Sequence, residues 1–72
     1  MEKMGFTVVI EQDEEGMFIA RIPDISGCQT QGKTVQQAIE RAREAIQVCV
    51  EADRKDVHPL KFIGVQRIEL VA

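Results

Sequence analysis

Only one stretch of this chain repeats its apolar residues at helical spacing, and that single helix limits every fold the chain can adopt. From Thr34 onward, Val35, Ala38, Ile39, Ala42, Ala45, Ile46, Cys49 and Val50 fall on one broad stripe. Gln36, Gln37, Glu40, Glu44, Gln47 and Glu51 occupy the opposite side. Thr34 is a good N-cap and Gln37 completes a capping box with it, so the spacing predicts a helix from Thr34 to about Arg54. The segment KDVHP ends it, because Pro59 discourages helical geometry in the residue before it. One helix of this kind covers one face of a sheet and leaves the other bare.

The remainder of the chain alternates. FTVVIEQD sets Phe6, Val8 and Ile10 against Thr7, Val9 and Glu11, and MFIARIP sets Phe18, Ala20 and Ile22 against Met17, Ile19 and Arg21. Both are strand patterns. The short acidic turn between them contains Gly16, which predicts a β-hairpin. Pro23 cannot donate to a ladder and ends the second strand. CQTQ predicts a short third strand, and LKFIGVQRIELVA a long final one with Gly64 as a bulge. The expected architecture is α+β, a single domain over residues 1–72 in the order β-β-β-α-β. An antiparallel meander is followed by a right-handed crossover helix on one sheet face, which returns the fourth strand parallel to the first.

Seventy-two residues without Trp or Tyr, and with Phe6, Phe18 and Phe62 as the only aromatics, build a small core. Such a core supplies only about 3–5 kcal/mol unless something staples it. Cys28 and Cys49 are too few for a secreted disulfide framework. With His58 they make three potential ligands, short of the roughly four of a structural zinc site. They are expected to be reduced, and no metal or cofactor is expected. A second copy of the chain is the remaining staple. Val9, Met17 and Ile19, with Arg21 beside them, point away from the helix and form the candidate face for an oligomer or partner, and the final strand is an alternative edge for it.

Several chemistries are weighed and set aside. Glu11, Asp13, Glu14 and Glu15 cluster, with Asp24 as a further carboxylate, but EF-hand spacing is absent and a charged hairpin turn is what solvent selects. A metal-dependent nuclease would rest on Glu11, Asp13 and Asp24. His58 has no visible catalytic partner, and nothing in the pattern activates Ser26 or Cys28. GCQTQGKT matches P-loop spacing literally, yet it follows a hairpin strand ended by Pro23 in a chain too short to enclose a nucleotide. Thr34 is better explained as the helix cap. A net charge of −3, scattered cations and no aromatic platform argue against direct nucleic-acid binding and favour a basic partner. MEKMGF lacks a basic region followed by an apolar run, and no apolar run nears the ~20 residues of a membrane span, so a cytoplasmic location is expected.

The order of turn and cap residues carries a resemblance. Glu14, Glu15 and Gly16, then Ala20 and Arg21, then Pro23, Asp24, Gly27 and Cys28, then Gly32 and Thr34, and finally Ala38, Ala42 and Ala45 follow the pattern of the HicB-like antitoxin family over roughly residues 6–50. The resemblance implies a β-β-β-α-β fold similar to part of the RNase H fold, without that enzyme's catalytic carboxylates. It also implies a partner: a HicA-type toxin, a small basic protein that cleaves mRNA and whose RNA-facing surface the antitoxin covers. Many members carry a C-terminal DNA-binding segment. This chain stops at Ala72 after one strand, and so resembles the short stand-alone members, for which direct operator contact is not expected.

The sequence therefore predicts a non-enzymatic antitoxin-like binding module. The alternative is an orphan homo-oligomeric scaffold that binds a small ligand between subunits. Within the stretch from Arg21 to Ala38, Pro23 is expected to end a strand, and Gly27 and Gly32 to supply backbone angles other residues resist. Thr34 caps the helix, and Asp24 or Gln29 is a secondary candidate for contact with a partner.

Overall fold

A computed structural model describes residues 4–52 and 57–71. The three antiparallel strands of the meander form as expected: β1 (Val9–Gln12), β2 (Phe18–Arg21) and β3 (Gln29–Gly32), in the spatial order β1-β2-β3. They are shorter than the alternating runs that announce them. Pairing sets Ile10 opposite Ala20 and Ala20 opposite Thr30, so the helix-facing side chains of all three strands come into line. Helix α1 (Val35–Ala52) follows and lies over β3 and β2. The fold is thus α+β, a three-stranded antiparallel sheet with one helix on one face. The expected helix end near Arg54 lies outside the described residues.

The turns work as their residues suggest. Asp13 carries the hairpin: its carbonyl accepts from Gly16 N at 3.1 Å, and its Oδ1 accepts from both Glu15 N and Met17 N at 2.9 Å. Gly16 closes the turn at φ 87°, where a Cβ would be strained. At the helix start, Thr34 Oγ1 accepts from Gln37 N at 3.0 Å. Gln37 Oε1 reaches back to Lys33 N at 2.7 Å, one residue before the cap, so the capping box is shifted by a residue.

The core is built from small side chains. Ala20, Ile22, Ile25, Ala38 and Ala42 are buried, and among the described residues Ile22 and Ile25 are the only large ones fully enclosed. Ala38 and Ala42 let α1 descend onto the sheet, and Gly32 completes the close approach. A Cβ at Gly32 would stand 2.7 Å from Ala38 N and 3.0 Å from Gln37 Cβ. Its φ is not positive, which corrects the expectation that Gly32 supplies an unusual backbone angle. Only Gly27, at φ 69°, does so within this corner.

The second correction concerns the fourth strand. Residues 58–71 join no sheet in this structure, and Ile63, Val65, Ile68 and Leu70 are 79–90% exposed. The segment is an arm. It gives the molecule principal extents of 49 × 27 × 19 Å and a radius of gyration of 13.9 Å, against about 11 Å for a compact chain of this length. Alternation fixes which side chains share a side of a strand but not which edge the strand joins.

Replacing Gly32 with Ala should lower the unfolding free energy by about 1–3 kcal/mol, the range for forcing extra volume into a packed contact. A urea titration read by circular dichroism checks this. An unchanged midpoint would mean that the helix does not need this approach.

Candidate functional site

The corner from Arg21 to Thr34 is organised around one carboxylate. Asp24 is 3% exposed. Its Oδ2 accepts from Thr7 N at 3.0 Å, its Oδ1 from Leu60 N at 2.7 Å, and its carbonyl from His58 N at 2.6 Å. Three segments far apart in sequence meet on it: the run-in to β1, the β2–β3 corner and the root of the arm. Ile25 bridges to Val57 next to it. Around the knot the chain turns through Pro23 and Gly27, with Ile25 N bonded to Ile22 O and Cys28 N to Ile25 O, both at 3.1 Å. The corner is a structural device, and Asp24 is its anchor.

Of the other carboxylates named in the sequence, Glu11 and Asp13 are separately engaged. Glu11 pairs with Arg21 at 2.6 Å across β1 and β2, both side chains being half-exposed. Asp13 is spent on the hairpin turn, at the opposite end of β2 from Asp24. Among the described residues no three His, Cys, Asp or Glu side chains converge into a group that could hold a metal ion. GCQTQGKT is not a loop: Gln29–Gly32 is β3, extended and paired with β2, and Lys33 N is bonded to Gln37 Oε1. A phosphate cradle needs a loop whose successive backbone N–H groups converge. His58 is exposed, as is Gln29.

Cys28 and Cys49 come together although they are distant in sequence. Both are free and half-buried against the core. Burial pushes the Cys28 thiol above its ordinary value of 9.0, and the neighbouring Cys49 adds to the effect through its charge and a side-chain hydrogen bond. The sequence hides this pair, because Cys49 reaches the corner only once α1 lies on the sheet.

On the sheet face away from α1, Val9, Met17 and Ile19 are half-buried and Arg21 is exposed. Beside them Val9, Arg21, Pro23, Ser26 and Gln29 help line a shallow depression of about 370 Å³. The other side has a feature that the sequence reasoning missed. Because α1 lies over β2 and β3, the run-in to β1 is left uncovered. A groove of about 340 Å³ opens between Met4, Phe6 and Val8 on one wall and Ile39, Arg43 and Ile46 on the other. It continues along the helix past Gln47 to Val50. The signal was the width of the helical stripe, which is broader than the line through Ala38 and Ala42 that the sheet can cover.

Comparison with known proteins places the chain. A family model described as HicB_like antitoxin of bacterial toxin-antitoxin system matches residues 6–68. The chain belongs to the HicB-like antitoxin family. The match runs through the arm to residue 68, so the arm is part of the family's shared domain. A UPF0150 protein of Archaeoglobus fulgidus is 42% identical over 67 residues, covering 93% of this HicB-like chain and 96% of its own length. A UPF0150 protein of Synechocystis sp. is 35% identical over 68 residues, covering 94% and 97%. One from Thermoplasma acidophilum is 40% identical over 52 residues, covering 72% and 75%. No solved structure matches the chain. No helix among the described residues is long and apolar enough to cross a membrane.

Removing the Asp24 carboxylate leaves two backbone donors of this HicB-like domain without their acceptor. Asp24→Ala should cost about 2–6 kcal/mol of stability, since each of the two part-buried donors so orphaned is worth roughly 1–3 kcal/mol. Hydrogen exchange should show Thr7 and Leu60 amides losing protection together. Asp24→Asn keeps one acceptor oxygen and should be milder.

Cys28 gives a pH dependence of defined sign. Its thiol holds its proton more tightly folded than unfolded, so its contribution is complete below pH 9 and is lost as pH rises through the higher folded value. Unfolding midpoints from pH 7 to 11 should fall less steeply at the alkaline end in Cys28→Ala than in the parent.

Proposed function

We propose that this HicB-like chain is a cytoplasmic, non-enzymatic antitoxin that binds and neutralises a small basic HicA-type mRNA-cleaving toxin, working as an assembly of two or more copies. The observation that carries the reading is the family match over residues 6–68. The charge distribution supports it. The chain carries a net −3, and Glu14, Glu15, Glu40, Glu44 and Glu51 are all exposed. An acidic surface steers a basic partner and raises its on-rate. The engagement of Glu11, Asp13 and Asp24 in structural contacts is consistent with a module that acts by covering a partner and contacts no nucleic acid itself. In the working assembly, residues 60–71 would complete the partial RNase H-like β-β-β-α-β arrangement. The turn and cap residues Pro23, Asp24, Gly27, Cys28, Gly32 and Thr34 build the corner, and Val9, Met17, Ile19 and Arg21 are the toxin-facing candidates.

The second reading is an orphan homo-oligomeric scaffold. The depression beside Val9, Arg21 and Gln29, which has room for a small molecule, favours it.

Affinity purification of the tagged protein from its own cells, with mass spectrometry of what is retained, separates the two. On the antitoxin reading a small basic protein is retained that cleaves mRNA, and its cleavage stops when the HicB-like chain is added back. Binding should weaken as salt rises, and more gently in Glu40→Lys/Glu44→Lys. Retention of nothing but copies of itself would sink the antitoxin reading.

A further inference from the structure

Cys28 and Cys49 carry two thiols that the antitoxin reading leaves without a task, and the fold brings them together. The helix begins just after β3 and folds back over it, with Thr30 Oγ1 donating to Ala38 O at 3.2 Å. Cys49 follows Ala42 by two helical turns and Ala38 by three, so it stays on the same sheet-facing stripe. That carries it back toward the end of the sheet where β3 starts, and Cys28 immediately precedes β3. Both cysteines pack against the one cluster of Ala20, Ile22, Ile25, Ala38 and Ala42. They differ in access. Cys28 forms part of the wall of the open depression of about 370 Å³, with Arg21, Ser26 and Gln29, so a small solute reaches it from solvent. Its backbone is held there, since Cys28 O accepts from Ile22 N and Cys28 N donates to Ile25 O, both at 3.1 Å. Cys49 comes from the helix side. A reachable thiol with a second thiol behind it, on a separate element, is the arrangement of an attacked and a resolving cysteine.

We propose that Cys28 and Cys49 form a reversible redox site, closed to a disulfide within the chain by a peroxide entering through the depression and reopened by a dithiol reductant. The Cys28 thiolate attacks one oxygen of hydrogen peroxide. An S–O bond forms as the O–O bond breaks, and the hydroxide released takes up the proton that Cys28 gave up, leaving as water. The Cys49 sulfur then attacks the Cys28 sulfur. An S–S bond forms as the S–O bond breaks, and the second hydroxide leaves as water with the Cys49 proton. The two thiols lose two electrons and the peroxide gains them. A dithiol reverses the change by becoming a disulfide itself and returning both protons. Burial holds the Cys28 proton, so thiolate is scarce at neutral pH and the first step is slow. The nearness of Cys49 governs the second step, which captures the sulfenic acid before another peroxide arrives. The bond closes a loop through β3 and most of α1, and it fastens the helix to the corner that Asp24 anchors. Limiting the unfolded chain in this way stabilises the folded one.

The test uses the full chain alone, with hydrogen peroxide as oxidant and dithiothreitol as reductant, so its outcome is independent of the antitoxin reading. Peptide mapping is the readout, because the methionines also take up oxygen. After peroxide, neither cysteine should react with iodoacetamide in urea, and digestion should give one peptide pair joined through Cys28 and Cys49. The chains should stay single on a denaturing gel without reductant. Dithiothreitol should restore both alkylation sites. The oxidised sample should unfold at a urea concentration higher by roughly 1–3 M than the same sample after dithiothreitol, which leaves methionine oxidation in place. In Cys49→Ser, and in Cys49→Ala with the helical circular dichroism signal intact, Cys28 should instead accumulate as sulfinic or sulfonic acid. Peroxide that leaves both parent thiols alkylable would overturn the site, as would disulfides found only between chains. An oxidised chain that unfolds at lower urea, or a Cys28 that stays a thiol in both Cys49 variants, would overturn it too.

Discussion

The carboxylate of Asp24 holds together what the hydrophobic core is too small to position. With only Ile22 and Ile25 as large, fully enclosed side chains among the described residues, non-directional apolar burial cannot by itself fix where the run-in to β1 and the root of the arm must lie. Hydrogen bonds to a charged acceptor are directional and about twice as strong as neutral ones. Asp24 makes two of them to amides 17 and 36 residues away. The corner, the β1 run-in and the arm root therefore behave as one unit. The same commitment gives Asp24 a structural role, since each carboxylate oxygen accepts from a backbone donor of a different segment.

The second constraint is the thinness of the helix–sheet contact. Ala20, Ala38, Ala42 and Gly32 allow α1 to sit close over β2 and β3. Close seating over two strands comes at the expense of width. Of the larger side chains of the stripe, Ile46 packs at the margin of the core, and Ile39 and Val50 lie along the groove beside the run-in to β1. The groove is a direct consequence of choosing alanine where the helix touches the sheet.

What the sequence made legible follows from how local each cause is. The hairpin, Gly16, the Thr34 cap and the helix depend on residues within a turn or two, and all four formed. The burial of Asp24 was hidden, because an Asp after a Pro looks like a solvated turn residue until Thr7 and Leu60 arrive from elsewhere. Gly32 was misread for a related reason. Its need is for space against Ala38, which tertiary packing creates, and not for a backbone angle. The pairing of Cys28 with Cys49 was equally invisible. For Leu60–Val71 the richness in Ile, Val and Leu suggested a final strand that the sheet does not contain, because pairing depends on an edge the local pattern cannot name.

Two surfaces of this domain differ sharply: the sheet face carrying Val9, Ile19 and the Arg21–Glu11 pair, and the outer side of α1 with Glu40, Glu44 and Glu51. The first is half-apolar and flat, and the second is acidic and solvated. A small basic protein needs a negative field to approach and a desolvated patch to hold it. Those two demands fall on different sides of this domain.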